Sequence, residues 1–166
     1  MSPKTNPKKT PPTGGYKLIA TNPDAKRNYQ ILEVIEAGLV LTGTEIKSLR
    51  QQSPNIKESY VNIRLEKRKL QAWWVNATIP IYSHGNIWNH EPKRDRKLLL
   101  HRKEIDRLYG AVSKKGLTLV PTRIYLKKGK AKLEVGFGKG KKLHDKRETI
   151  KRRTAEREME RATRRR

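Results

Sequence analysis

Alternating apolar and polar residues in the first half of the chain predict β-strands. The segment YQILEVIE (29–36) mixes alternation with a continuous apolar run, which is typical of a strand with at least one buried face. The segment SYVNIRLE (59–66) alternates strictly, and LQAWWV (70–75) follows after the polar turn 67–68. Two alternating runs joined by a short polar turn predict a β-hairpin.

A second hairpin and two helices follow from the same patterns. The runs LTLVPTRIYLK (117–127) and KAKLEVGFG (130–138) are joined by a Lys-Gly turn. Thr42 and Glu45 have the spacing of a capping box, which predicts a short helix to residue 52. The segment 96–116 has the spacing of an amphipathic helix and ends at a glycine.

These elements predict a mainly β fold: an OB-fold-like small barrel of about six strands with two or three short helices. Closure into a barrel would remove the exposed sheet edges that two isolated hairpins leave. The apolar residues also define the boundaries, because 1–15 contain no Leu, Ile, Val or Phe and 139–166 contain only two. We therefore expect a flexible arm at 1–15, a folded body at 16–138 and a basic tail at 139–166.

Charge points to a polyanionic partner. The chain has 40 Lys and Arg against 16 Asp and Glu, a net charge of +24. It has no cysteine, and its four histidines are too scattered for a metal-binding spacing, so no metal, cofactor or catalytic constellation is expected and the chain is not expected to be an enzyme. No apolar run suits a membrane span or a secretory signal, which favours a soluble, cytoplasmic protein.

The tail and the end of the last strand carry the strongest local signals. After residue 140 there is no proline or glycine, but the apolar stripe is too thin to dock on a core. We expect this tail to be disordered in the free protein and helical on an anionic surface. In GFGKGKK (136–142), Lys139, Lys141 and Lys142 could hold phosphates, with a merely solvated linker as the alternative.

The tryptophans allow two interpretations each. Trp73 and Trp74 are adjacent on a predicted strand and must point to opposite faces, so an exposed ring could stack on a base or either could pack in the structure. Trp88 lies in a loop rich in Gly, Asn, His and Pro, for which a loosely packed connector is an equal interpretation.

Four long motifs resemble the small protein B family, the SsrA-binding proteins of bacterial trans-translation. They are AGLVLTGTEIKSLR (37–50), NIKESYV (55–61), RKLLLHRKEIDRLYG (96–110) and GKGKKLHDKRETIKRR (138–153), in the order and spacing of the family. The resemblance implies a non-enzymatic adaptor that binds the tRNA-like domain of transfer-messenger RNA (tmRNA, or SsrA RNA). Such an adaptor, expected as a monomer, delivers alanyl-tmRNA with elongation factor Tu and GTP to stalled ribosomes for nascent-peptide tagging and ribosome rescue.

The resemblance also implies RNA-contact residues in the body. They are Asn22, Arg27, Glu36, Glu45, Lys47, Arg50, Leu99, Lys139, Lys141 and Lys142. The two glutamates cannot attract phosphate, so they would orient cations or accept hydrogen bonds from bases and ribose; burial as structural acids is the alternative. For Leu99 the alternative is a place in the core. The segment 21–29 departs from the family, with Pro-Asp where basic residues are expected.

The tail is assigned to the ribosome by the same resemblance. It would become helical in the empty mRNA channel of the small subunit, with its first residues near the decoding centre. The tail residues implied are His144, Asp145, Lys146, Arg147, Lys151, Arg152 and Arg153. The alternative for the whole chain is a ribosomal or generic structured-RNA-binding protein with the same charge and barrel.

Overall fold

Seven strands and four α-helices make up the part of the chain that the structure describes. The computed structural model describes residues 15–164, without the side chains of 143–146, 149, 163 and 164, so the expected arm lies almost wholly outside the described residues. In chain order the elements are β1 Tyr16–Thr21, α1 Pro23–Asn28, β2 Tyr29–Leu39, α2 Gly43–Gln51, β3 Tyr60–Glu66, β4 Lys69–Val75, β5 Arg96–Leu99, α3 Arg102–Lys115, β6 Thr118–Lys127, β7 Lys130–Gly140 and α4 Leu143–Arg164. No helix in the described part is long and apolar enough to span a membrane.

The strands form one antiparallel sheet in the order β1-β6-β7-β2-β5-β4-β3. The mainly β class and both predicted hairpins are confirmed. The predicted closed barrel is wrong. Among the described residues, β1 and β3 are the two edge strands of the sheet and do not pair with each other, although β3 lies beside β6. An alternating pattern shows which face of a strand is buried, but it does not show which edges meet.

The core lies between the curled sheet and α2 and α3. Leu49, Leu108 and Leu133 are among its buried side chains. Trp74 is the inward ring of the tryptophan pair, fully buried with its indole N–H donating to Ser59 Oγ at 2.9 Å. Trp73 faces the other way and lies 5.8 Å from the Arg64 guanidinium.

The helices differ in part from the prediction. The capping box of α2 is present as predicted. The predicted helix at 96–116 is a helix only from Arg102, because Arg96–Leu99 form β5 and complete the hydrogen bonding between β2 and β4. The spacing of apolar residues did not predict β1 or α1; α1 is only 6 residues long, too short for a helical period to be visible.

The basic tail is helical in the structure. Helix α4 begins three residues after the end of β7 and has 22 residues. The helical conformation agrees with a segment rich in good helix formers, and α4 also contacts α1. The expectation that the tail is disordered in the free protein stays a prediction.

Candidate nucleic-acid interface

Helix α1 is fixed to the sheet by one buried asparagine. Asn22 is 3% exposed and caps α1, its Oδ1 accepting hydrogen bonds from the amides of Asp24 and Ala25. Its Nδ2 donates to the carbonyl oxygen of Pro121 at 3.0 Å. Every polar atom of this side chain is engaged inside the protein, so Asn22 positions α1 and is not presented to solvent.

Four candidate cations meet where β7 runs into α4 beside α1. The Lys141 amide donates to the carbonyl of Asn28 at 2.8 Å, and Lys141 Nζ donates to the carbonyl of Lys26 at 3.1 Å. Lys139 and Lys142 are exposed on either side. The fourth cation, Arg27, forms an ion pair with Asp24 at 2.6 Å. Asp24 is the acid found in segment 21–29 where the family is expected to have a basic residue. We call Arg27, Lys139, Lys141 and Lys142 the basic corner.

Glu36 on β2 is held by hydroxyl and ammonium groups. Its carboxylate accepts a hydrogen bond from the Tyr125 phenol at 2.5 Å and from Lys127 Nζ at 3.1 Å, and it pairs with Lys132 at 3.6 Å. The hydrogen bond from Tyr125, with the two lysines, outweighs partial burial and lowers the pKa of Glu36 below its usual value. Burial and the bond to Glu36 raise the pKa of Tyr125. Glu36 therefore stays an anion with fixed donors around it.

Leu99 is exposed at the rim of a groove next to Glu36. The groove has a volume of about 430 Å³ and lies between the end of β2, α2 and the β6–β7 turn. Leu99 is 55% exposed, so it is a surface residue and not part of the core. Lys132, which lies opposite Gly38 in the β2–β7 register, lines the same groove. We call this site the Leu99 groove. The sequence analysis did not name Lys132 as a site residue, although the alternation along the second predicted hairpin was a signal that could have identified it.

Glu45 is the centre of a buried ion network. Its carboxylate is 0% exposed and accepts hydrogen bonds from Arg94 Nε at 2.9 Å, Arg96 Nε at 2.8 Å and the Thr42 amide at 2.8 Å. Burial opposes ionisation, but the bonds from Arg94, Thr42 and Arg96 outweigh it and lower the pKa of Glu45. Arg96, also 0% exposed, donates to the carbonyl of Ala77 as well. This geometry supports the interpretation of Glu45 as a structural acid.

The remaining candidates lie on α2 and in the tail. Lys47 and Arg50 are exposed on α2, and Lys47 Nζ lies 5.7 Å from the centre of the Tyr82 ring. In the tail, Arg147, Lys151 and Arg152 are exposed and Arg153 is half-buried. The side chains of His144, Asp145 and Lys146 lie outside the described residues.

The fold and this surface define a class: a small antiparallel β protein that gathers cations at one corner, on one helix face and along a basic tail. Within the residues that the structure describes, no group of three or more His, Cys, Asp or Glu could hold a metal ion. The chemistry that the surface offers is the binding of a polyanion.

Comparison with known proteins places the chain more closely. The family model described as SmpB protein matches residues 19–165, and the chain belongs to this family. It is 52% identical over 153 residues to the SsrA-binding protein of Gloeothece citriformis, covering 92% of this chain and 96% of that protein. It is 51% identical over 149 residues to the SsrA-binding protein of Bradyrhizobium diazoefficiens, covering 89% and 92%.

A solved structure is also similar. It is described as "tmRNA-SmpB: a journey to the center of the bacterial ribosome", and it matches with a TM-score of 0.60 and 44% identity. The match covers 75% of this chain and 85% of that one. The chain thus shares its fold with that structure over three quarters of its length.

Proposed function

We propose that this protein binds SsrA RNA and acts as a non-enzymatic adaptor in trans-translation. It would bind the tRNA-like domain of tmRNA as a monomer and deliver alanyl-tmRNA, with elongation factor Tu and GTP, to stalled ribosomes in the cytoplasm. Membership of the SmpB family, relatives named SsrA-binding protein and the similar tmRNA-SmpB structure support this proposal.

The observation that carries the proposal is the basic corner. Lys141 is tied to α1 by its own amide and ammonium, which fixes the direction of the chain between Lys139 and Lys142. Cations fixed relative to one another bind a phosphate backbone of matching shape better than the same charges on a mobile chain, because less conformational entropy is lost on binding. The corner therefore suits a structured RNA.

The Leu99 groove would supply contacts other than phosphate. Its rim offers an exposed leucine, and beside it Glu36 is an anchored hydrogen-bond acceptor. A carboxylate in this position can accept hydrogen bonds from base amino groups or ribose hydroxyls. Lys132, paired with Glu36, keeps the local charge balanced so that the acid does not repel the backbone nearby.

Two candidate residues would act indirectly. Asn22 and Glu45 are buried and fully hydrogen-bonded, so in this proposal Asn22 positions α1 and Glu45 positions α2. The exposed Lys47 and Arg50 on α2 would then make the direct contacts.

The tail would serve the ribosome. A helix of the length of α4 spans about 33 Å, and its exposed cations Arg147, Lys151 and Arg152 suit a channel walled by RNA. In the proposed complex this helix occupies the empty mRNA channel, with His144, Asp145 and Lys146 closest to the decoding centre.

The test compares two charge-matched variants of the full chain. One has Lys139, Lys141 and Lys142 changed to Gln, and the other has Lys151, Arg152 and Arg153 changed to Gln. Both remove three charges and retain good helix formers in the tail. Binding to tmRNA is measured against tRNA and a random RNA hairpin as competitors, and peptide tagging is measured in reconstituted translation on stalled ribosomes.

We expect the corner variant to bind tmRNA at least about tenfold more weakly, because three phosphate contacts are lost. The tail variant should bind tmRNA nearly normally and fail to support tagging. Equal losses by both variants on every RNA would instead identify a generic structured-RNA-binding protein.

A further inference from the structure

The loop between β4 and β5 presents the most exposed large apolar side chains among the described residues. Ile87 is 86% exposed and Trp88 is 83% exposed, in a short 3-10 turn. Water solvates an indole ring poorly, and stable folds normally use tryptophan for burial. An outward tryptophan at a loop tip is therefore typical of an interaction site.

The base of this loop is fixed, which excludes a loosely packed connector. Asn89 bonds both main-chain groups of Tyr82, its Nδ2 donating to the carbonyl at 2.6 Å and its Oδ1 accepting from the amide at 3.1 Å. A Cβ on Gly85 would lie 2.6 Å from Asn89 Nδ2, so a larger residue there would displace the side chain that holds the loop. His90, 8% exposed, joins the loop to Ile79 and Thr44. Hydrogen bonds at the base of the loop therefore hold the tip in place.

Two aromatic rings of the same loop lie close to each other, and one of them lies beside a lysine of α2. The rings of Tyr82 and His84 lie 5.4 Å apart, and Lys47 Nζ lies above the Tyr82 ring. Lys47 is one of the proposed RNA-contact residues, and the Tyr82 that it overlies is hydrogen-bonded to Asn89, the residue that follows Trp88. Aromatic rings next to cations are the combination that binds unpaired nucleotides, by stacking on the base and attracting its phosphate.

We propose that Trp88 stacks on an unpaired base of the tmRNA held by the body, while Lys47 contacts a neighbouring phosphate. This inference rests on the proposed function, since it names a further contact to the same RNA. The net charge of the chain favours RNA over a protein partner for this apolar tip.

The experiment measures tmRNA binding by full-chain variants across a range of salt concentrations. Trp88→Ala should weaken binding about tenfold at every salt concentration without changing the salt slope, because stacking releases no counterions. Trp88→Phe keeps a ring and should bind within about threefold of the wild type. Leu65→Ala, which removes a 70% exposed apolar side chain elsewhere, is the matched control and should bind like the wild type. RNA should quench tryptophan fluorescence less in Trp88→Phe than in the wild type.

The outcomes separate this inference from the proposed function. Wild-type affinity of Trp88→Ala, together with weak binding by the corner variant, would overturn the inference and leave the proposed function standing. Normal RNA binding but lost tagging by Trp88→Ala would place a different partner at the tip, which also overturns it. No preference of the wild type for tmRNA over the hairpin would instead refute the proposed function itself.

Discussion

Removing the charge of Glu45 should cost this protein a large share of its stability. In Glu45→Gln the Arg96 guanidinium stays 0% exposed but loses its anionic partner. The glutamine also turns an amide N–H₂ towards a cluster of donors, so the bonds from Thr42, Arg94 and Arg96 cannot all be kept. Breaking a buried ion pair from one side costs about 3–5 kcal/mol.

The assay is equilibrium urea unfolding. With a typical slope of about 2 kcal/mol per molar urea, a loss of about 4 kcal/mol lowers the midpoint by about 2 M. Glu33→Gln is the matched control, because Glu33 pairs with Arg107 on the surface and its side chain is 40% exposed. That change should cost less than about 1 kcal/mol.

A double variant tests the reason for the loss. In Glu45→Gln/Arg96→Met the uncompensated charge is gone, so part of the stability should return. Recovery should stay incomplete, because Arg96 also donates to the buried carbonyl of Ala77, and that hydrogen bond would be lost. If the free energy of unfolding of Glu45→Gln lies within about 1 kcal/mol of the wild-type value, with an unchanged dependence on urea, the buried network is not what stabilises this region.

Three further predictions follow from single sites. Gly138→Ala should lower the stability by at least about 2 kcal/mol in thermal unfolding, because its Cβ would lie 2.3 Å from a carbonyl oxygen of β2, whereas Gly140→Ala, with open space around it, should behave like the wild type. Lys141→Ala and Lys142→Ala should each lower the salt slope of RNA binding by about one, and an unchanged slope would place that lysine in solvent. Because the pKa of Glu36 is lower in the folded protein, Glu36 contributes stability above its unfolded pKa of about 4.3, and this stability is lost as the pH falls through the lower folded value. Glu36→Gln should therefore make the free energy of unfolding fall less steeply at acid pH. An unchanged acid dependence would contradict this.

The sequence was sufficient where the signal is local. The capping box of α2 lies within four residues, and each hairpin is recognised from two adjacent runs, so both were predicted correctly. The segment Arg96–Leu99 was misassigned because its strand character depends on two distant strands that leave a gap between them. The closure of the sheet is likewise decided by edges far apart in the chain.

The candidate site shows the same difference between local and distant signals. The lysines of the basic corner stand together in sequence as GKGKK and were found from it. Lys132 was missed because its role comes from its position relative to Glu36 on a paired strand. The burial of Asn22 was not predicted from the sequence, and that of Glu45 was only one of two alternatives, since their partners are up to 99 residues away.

The ion pairs of the body explain how a chain with so much positive charge can fold and still bind RNA. The acids neutralise cations that the fold needs, as Glu45 does for Arg96 and Glu134 for Arg123. Among the described residues, Lys47, Lys139 and Lys142 take part in no salt bridge. Unpaired surface cations repel one another and hold counterions, and both costs are relieved when phosphates replace the counterions. The cations that the acids leave free are therefore the ones whose binding should depend most steeply on salt.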